Sequence, residues 1–174
     1  MTLFHRLIPA LAIAWVNSCL SCTLHDSRND FTYHLNLPDD QCRTISYISG
    51  LIIPIQLSYP QGQAVGSGWK GEIIDVRLYY VTERYDFNAQ IDSNSYRRSD
   101  KNYDVYNIAN EDNYVFNGSD NSRVIVRKRG YTWLAHRMQN GVLIMYQYDE
   151  RFSNFKEIDE FVRVFVERIL IHKD

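Results

Sequence analysis

The strongest constraint on the fold of this chain is the dipeptide Asn140-Gly141. Both residues tolerate positive φ, which a type I′ turn requires at its two central positions, and that turn has the twist two paired strands need. Trp133 to Met138 and Val142 to Tyr148 flank it with strand-like sequence, so a tight antiparallel hairpin is expected. Directly afterwards the period changes. Ile158, Phe161, Phe165 and Ile169 fall at i, i+3, i+7 and i+11, with Phe155 and Val162 beside them. That is one apolar stripe on a helix. Asn154 with Glu157 three residues on reads as a capping box with Asn in place of Ser or Thr. Glu157, Asp159 and Glu160 at the start, with Arg168 and Lys173 near the end, complement the helix dipole. Such a helix cannot stand alone in water, so its Phe stripe must lie on a sheet.

Upstream, the chain supplies that sheet. Phe31 to Leu37 alternates apolar and polar residues at period two. Leu51 to Tyr59 is a second strand, and Pro54 inside it, which has no N–H to give a ladder, argues for an edge position. Pro60-Gln-Gly-Gln then turns the chain. Glu72 to Val81 is the clearest strand, with Ile74, Val76, Leu78 and Tyr80 on one face and Asp75 and Arg77 on the other; Arg123 to Arg127 is a further candidate. The expectation is an α+β domain: an antiparallel sheet of five or more strands with one C-terminal amphipathic helix packed on it. Between Tyr85 and Asp120 clear periodicity is lost in a run rich in Asn, Asp, Ser and Tyr. Short strands around Asp104 to Ile108 and Tyr114 to Phe116 are compatible with it, but the reading is a long loop section, a feature usually functional or disordered.

The first residues set the compartment. His5 and Arg6 precede an apolar run from Leu7 to Val16. The run is about half the ~20 residues needed to span a bilayer, so it reads as a signal peptide. Small and polar residues then lead into Cys19 and Cys22, which resembles a bacterial lipoprotein signal, in which a cysteine acquires lipid acyl chains (palmitate among them) and becomes the first mature residue. Val16-Asn17-Ser18-Cys19 has a branched apolar residue at −3 and a small one at −1, with an atypical Asn17; Cys19-Leu20-Ser21-Cys22 has Ser21 at −1 and a cysteine at −3. Lipidation at Cys19 leaves Cys22 and Cys42 as an even pair for a disulfide in an oxidising periplasm; lipidation at Cys22 leaves Cys42 alone. Cys19 is favoured, with Cys22 the alternative, and an ordinary secretory signal cut nearby is a third reading. The +2 residue, Leu20 or Thr23, is not Asp, which resembles outer-membrane sorting. The domain expectation is therefore a signal over 1–18, a lipidated tether over 19–30, and one domain over 31–174 of about 150 residues, enough for a single core.

Charge and motifs exclude several chemistries. Nineteen Lys and Arg against 21 Asp and Glu give −2, and loss of Arg6 with the signal gives −3. That balance argues against a nucleic-acid binder. Gly66-Ser-Gly68-Trp-Lys-Gly71 spells G-x-G-x-x-G, but a strand follows it where a dinucleotide fingerprint needs a helix, so these are turn residues. The histidines, His5, His25, His34, His136 and His172, have no H-E-x-x-H and no close pair, and His136 reads as solvent-facing or satisfied; no metal and no cofactor is expected. No G-x-S-x-G elbow exists, and Asp149 and Glu150 point oppositely on a strand, so no catalytic residue and no enzyme is expected. Arg123, Arg127 and Arg129 share strand parity, with Lys128 beside them, and Arg97, Arg98 and Lys101 add positive charge upstream. A solvated face is the plain reading, and a patch that steers an acidic partner or contacts lipid headgroups is the sharper one.

The lipoprotein signal, the α+β body, the Gly68-Trp69 to Tyr80 strand and the terminal hairpin-then-helix resemble the small periplasmic immunity lipoproteins that protect Gram-negative bacteria from type VI secretion effectors. The likeness is one of layout, and no single motif carries it. It implies a membrane-anchored toxin inhibitor that binds a secreted effector toxin one-to-one. Tyrosines interleaved with Ser, Asn and Asp have the composition of binding loops. Tyr96, Arg97, Arg98, Tyr103 and Tyr106 are accordingly the expected partner contacts. The alternative is an accessory or assembly lipoprotein of a cell-envelope or secretion complex.

Overall fold

Strand pairing begins where the alternation is clearest. In the computed structural model, which describes residues 22–45, 52–82, 85–91, 95–100 and 102–171, the segments Ile52–Tyr59 (β3) and Glu72–Tyr80 (β5) pair antiparallel, with Ile53 opposite Leu78 and Ile55 opposite Val76. The short Ala64–Val65 (β4) touches β3 only at Gln56 and Leu57. β3 is thus one strand in from the edge, and Pro54 sits beyond the reach of β4, where a missing N–H costs no ladder bond.

Six further strands follow as a meander: Tyr96–Asp100 (β6), Tyr103–Ile108 (β7), Glu111–Asn117 (β8), Arg123–Arg129 (β9), Thr132–Gln139 (β10) and Val142–Asp149 (β11). β11 pairs back onto β5, giving one nine-stranded antiparallel sheet in the order β4-β3-β5-β11-β10-β9-β8-β7-β6. Asn140 and Gly141 turn β10 into β11 at φ of 52° and 74°, as the Asn-Gly pair predicted. The long loop expected between Tyr85 and Asp120 is a correction. Three of the nine strands lie there, and Ala109-Asn110 makes a second turn with both φ positive. Polar residues on both faces of β7 and β8 conceal the period-two signal.

The helix Phe155–Ile169 (α2) covers one face. Its Phe155, Ile158, Val162, Phe165, Val166 and Ile169 bury against Ile53, Ile55, Leu57, Ile74, Val76, Leu78, Ile144 and Tyr146. Each such side chain is worth about 1.5–3 kcal/mol when fully removed from water, which explains why an isolated amphipathic stripe must dock. Asn154 Oδ1 accepts the Glu157 amide at 3.4 Å, and its Nδ2 donates to the Glu157 carboxylate at 3.0 Å. Cys22–Asp26 (β1) and Phe31–Leu35 (β2) form a separate hairpin at the C-terminal end of α2, where the Asn36 amide donates to Ile169 O at 2.6 Å. The tether expected over 19–30 is therefore corrected from Cys22 onward, because Tyr33 and Leu35 draw this hairpin into the core. Cys22 is bonded to Cys42 of the short helix Asp39–Cys42 (α1). Cys19 and the signal lie outside the described residues.

Candidate functional site

The two faces of the sheet differ because of one connection. The chain must pass from β5, third in the sheet, to β6 at the far edge. The described part of that connection, 85–91, lies on the face opposite α2, where Phe87, in the 3-10 turn Phe87–Gln90, buries against Val115, Ile125 and Leu143. Arg123 Nη1 donates to Asn88 Oδ1 at 3.1 Å and helps to pin this crossing.

Beside the crossing, strand register aligns a row of side chains on the same face. Asp75, Gln147, Leu134, Arg127, Asn113, Tyr106 and Tyr96 are successive partners from β5 to β6. A neighbouring row runs Arg77, Met145, His136, Ile125, Val115 and Asp104. Between the rows lies a recess of about 290 Å³ lined by Ile108, Asn113, Ile125, Arg127 and His136. Burial, and then the neighbouring Arg127 guanidinium, push the His136 imidazole down to about 4, so the ring is neutral near pH 7. Its Nε2 is shielded from water and has no hydrogen-bond partner. The expectation of a solvent-facing or satisfied His136 is thereby corrected.

The row ends on β6, an edge strand paired among the described residues with β7 alone. Arg97 is the extra residue of a bulge, since Tyr96 pairs with Tyr106 but Arg98 with Val105. Bulges re-aim side chains at edges, and this one divides the expected contact residues. Tyr96 and Tyr106 meet edge to face at 5.5 Å on the recess side, and the Tyr96 hydroxyl lies 3.1 Å from Ser99 Oγ, which donates to Asp104 at 2.9 Å. Tyr96 is 47% exposed. Arg98 instead pairs with Asp112 at 3.2 Å. Tyr103 lies on the helix side, in an aromatic cluster with Phe116 and Phe155 at 5.5 and 5.2 Å. Burial raises its pKa, against the opposing effect of the Phe155 and Lys156 amides that donate to its oxygen. Tyr103 is thus a support for the start of α2, and the five residues do not share one surface.

A second polar cluster was not foreseen. Arg137, on β10 and fully buried, donates from Nη1 to Asp159 Oδ2 on α2 at 2.8 Å and from Nη2 to Asp120 in the β8–β9 loop. The Tyr146 hydroxyl donates to the other oxygen of Asp159 at 2.7 Å. Ser119 donates to Glu160, so the same loop is tied to β10 through Asp120 and to α2 through Ser119. Burial raises the Asp159 carboxyl, with Arg137 and Tyr146 pulling the other way. Its place in the acidic start of the helix conceals that it points into the core. The effect of this cluster is to lock helix, sheet and loop together.

Asp149 and Glu150 are each engaged, with Arg151 at 2.9 Å and Lys128 at 2.5 Å respectively. Among the described residues no three His, Cys, Asp or Glu side chains form a metal-binding set, and no helix is long and apolar enough to cross a membrane. Comparison with protein-family models, curated proteins and solved structures found no match.

Proposed function

We propose that this chain is a membrane-anchored periplasmic lipoprotein that binds and neutralises a secreted toxin. The observation that carries this reading is the asymmetry of the sheet. One face is covered by α2, while the other presents aromatic, arginine and amide side chains in a row that runs out to β6, the edge strand of the sheet among the described residues. Tyr and Arg are the residue types that carry most of the energy in protein interfaces. An edge strand adds main-chain donors and acceptors to the same surface. Engagement of Cys22 by Cys42 supports Cys19 as the lipidated residue, because a cysteine in a disulfide has no free sulfur to acylate.

The test is capture by the full-length, detergent-solubilised protein from the secretome and envelope of its native bacterium. The expected result is a secreted hydrolase, bound one-to-one and inhibited, with binding weakened at least about tenfold by Tyr96→Ala or Tyr106→Ala, the loss of roughly 1.4 kcal/mol expected of a modest contact. Recovery of a resident envelope complex, with no inhibited toxin, replaces this reading with the accessory role.

A further inference from the structure

We infer that the recess between Arg127 and His136 is a carboxylate-binding pocket, built to take an acidic side chain of a protein partner. The identity of that partner rests on the function proposed above; the affinity of the recess for a carboxylate does not.

Three features of the recess point to that ligand. Arg127 lies between Leu134 of β10 and Asn113 of β8, half-buried, and makes no ion pair or side-chain hydrogen bond among the described residues. A guanidinium offers a planar fork matched to a carboxylate. His136 lines the same space, and its neutral ring lies close enough to Arg127 to feel the guanidinium charge. The walls at Ile108 and Ile125 are apolar, which weakens screening and strengthens a charged hydrogen bond formed there.

Electrostatics then select the sign of the ligand. A cation is repelled by Arg127. A neutral group from a partner covering this face would strip water from Arg127 without pairing it, which is the costly case for a buried charge. A carboxylate neutralises Arg127 and sits beside the His136 ring, whose protonation it then favours. Competing charges stand further off. Arg77 on β5 is separated from His136 by Met145, and Asp104 on β7 by Ile125 and Val115. Asp104 already accepts from Ser99. Glu111, on the neighbouring β8, is exposed and pairs with Ile108 across the ladder.

The experiment is histidine side-chain NMR on the full-length protein in non-ionic detergent, titrated with sodium acetate and, separately, with sodium chloride at equal ionic strength. The expected result is a saturable acetate response of the His136 ring and a rise of its pKa by about one unit or more at saturation, the signature of a new anionic neighbour. Arg127→Gln should weaken the response at least about tenfold, while Arg127→Lys, which keeps the charge without the fork, retains part of it. Identical drift in acetate and chloride overturns the inference, and so does an undiminished acetate response in Arg127→Gln. If Arg127→Gln fails to fold, the acetate-against-chloride comparison on the unaltered protein decides alone. A toxin captured without an acetate response removes the pocket and leaves the proposed function; an acetate response without a toxin does the reverse.

Discussion

Arg137→Met should be among the most damaging single substitutions in this protein. The guanidinium it removes is fully buried and is the main partner of Asp159, whose side chain is 1% exposed. Deleting one member of a buried ion pair costs about 3–5 kcal/mol, because the other charge stays behind without compensation. Here the Tyr146 hydroxyl still donates to Asp159, and Asp120, at 29% exposed, can return to water. The lower half of that range, about 3–4 kcal/mol, is therefore expected. Removing the whole network should recover most of the loss. A triple variant, Arg137→Met, Asp159→Leu and Tyr146→Phe, leaves no buried charge and no orphan hydroxyl, and should lie within about 1–2 kcal/mol of the natural protein. Urea unfolding with the disulfide intact measures both, with an unchanged m value as the check that only stability has moved. The pH dependence supplies a second sign. Burial already holds the Asp159 carboxyl above its usual range, so the folded state of Arg137→Met takes up a proton more readily than the unfolded chain. Its deficit should shrink as pH falls and grow again as pH rises through the carboxyl's folded pKa. A single-variant loss below about 1 kcal/mol, or a triple variant as unstable as the summed singles, would refute the assignment of this cluster as a charge-compensated lock.

His136 titrates near 4 when folded against 6.5 in an open chain, so the unfolded state binds its proton first and stability should fall as pH drops from about 6.5 towards 4. The loss is at most about 3 kcal/mol, and His136→Gln should flatten the profile of urea midpoint against pH; an equally steep profile in that variant sinks the idea. The Cys22–Cys42 bond closes a separation of 20 residues, so intact mass should rise by two hydrogen atoms on reduction and stability should fall by about 3 kcal/mol. No change in mass would show that the cysteines are not paired.

Much of the scaffold was legible in the residues. Asn140-Gly141 marked its hairpin, Glu72 to Val81 the strand observed over Glu72–Tyr80, and the Phe155 to Ile169 stripe its helix, and the α+β class with the helix on an antiparallel sheet is the fold observed. The candidate site was legible only in part. Shared parity placed Arg123, Arg127 and Arg129 on one face, and Tyr96 and Tyr106 do meet. Tyr103 and Arg98 went astray because a bulge at Arg97 and the unrecognised strands β6, β7 and β8 set which way they point.

The physical division is between local and long-range determinants. Turn chemistry, side-chain period and helix capping act within a few residues, so the sequence by itself determined the place and type of the elements that carry those signals, the β10–β11 hairpin, β5 and α2 above all. The tertiary structure alone decided which elements became neighbours. Arg137 meets Asp159, 22 positions away. Asn113, Arg127 and His136 are gathered by the register of three strands. The crossing from β5 to β6 leaves one face of the sheet partly covered and partly free. These pairings depend on strand order and register, which follow from the joint burial of the whole core rather than from any single segment.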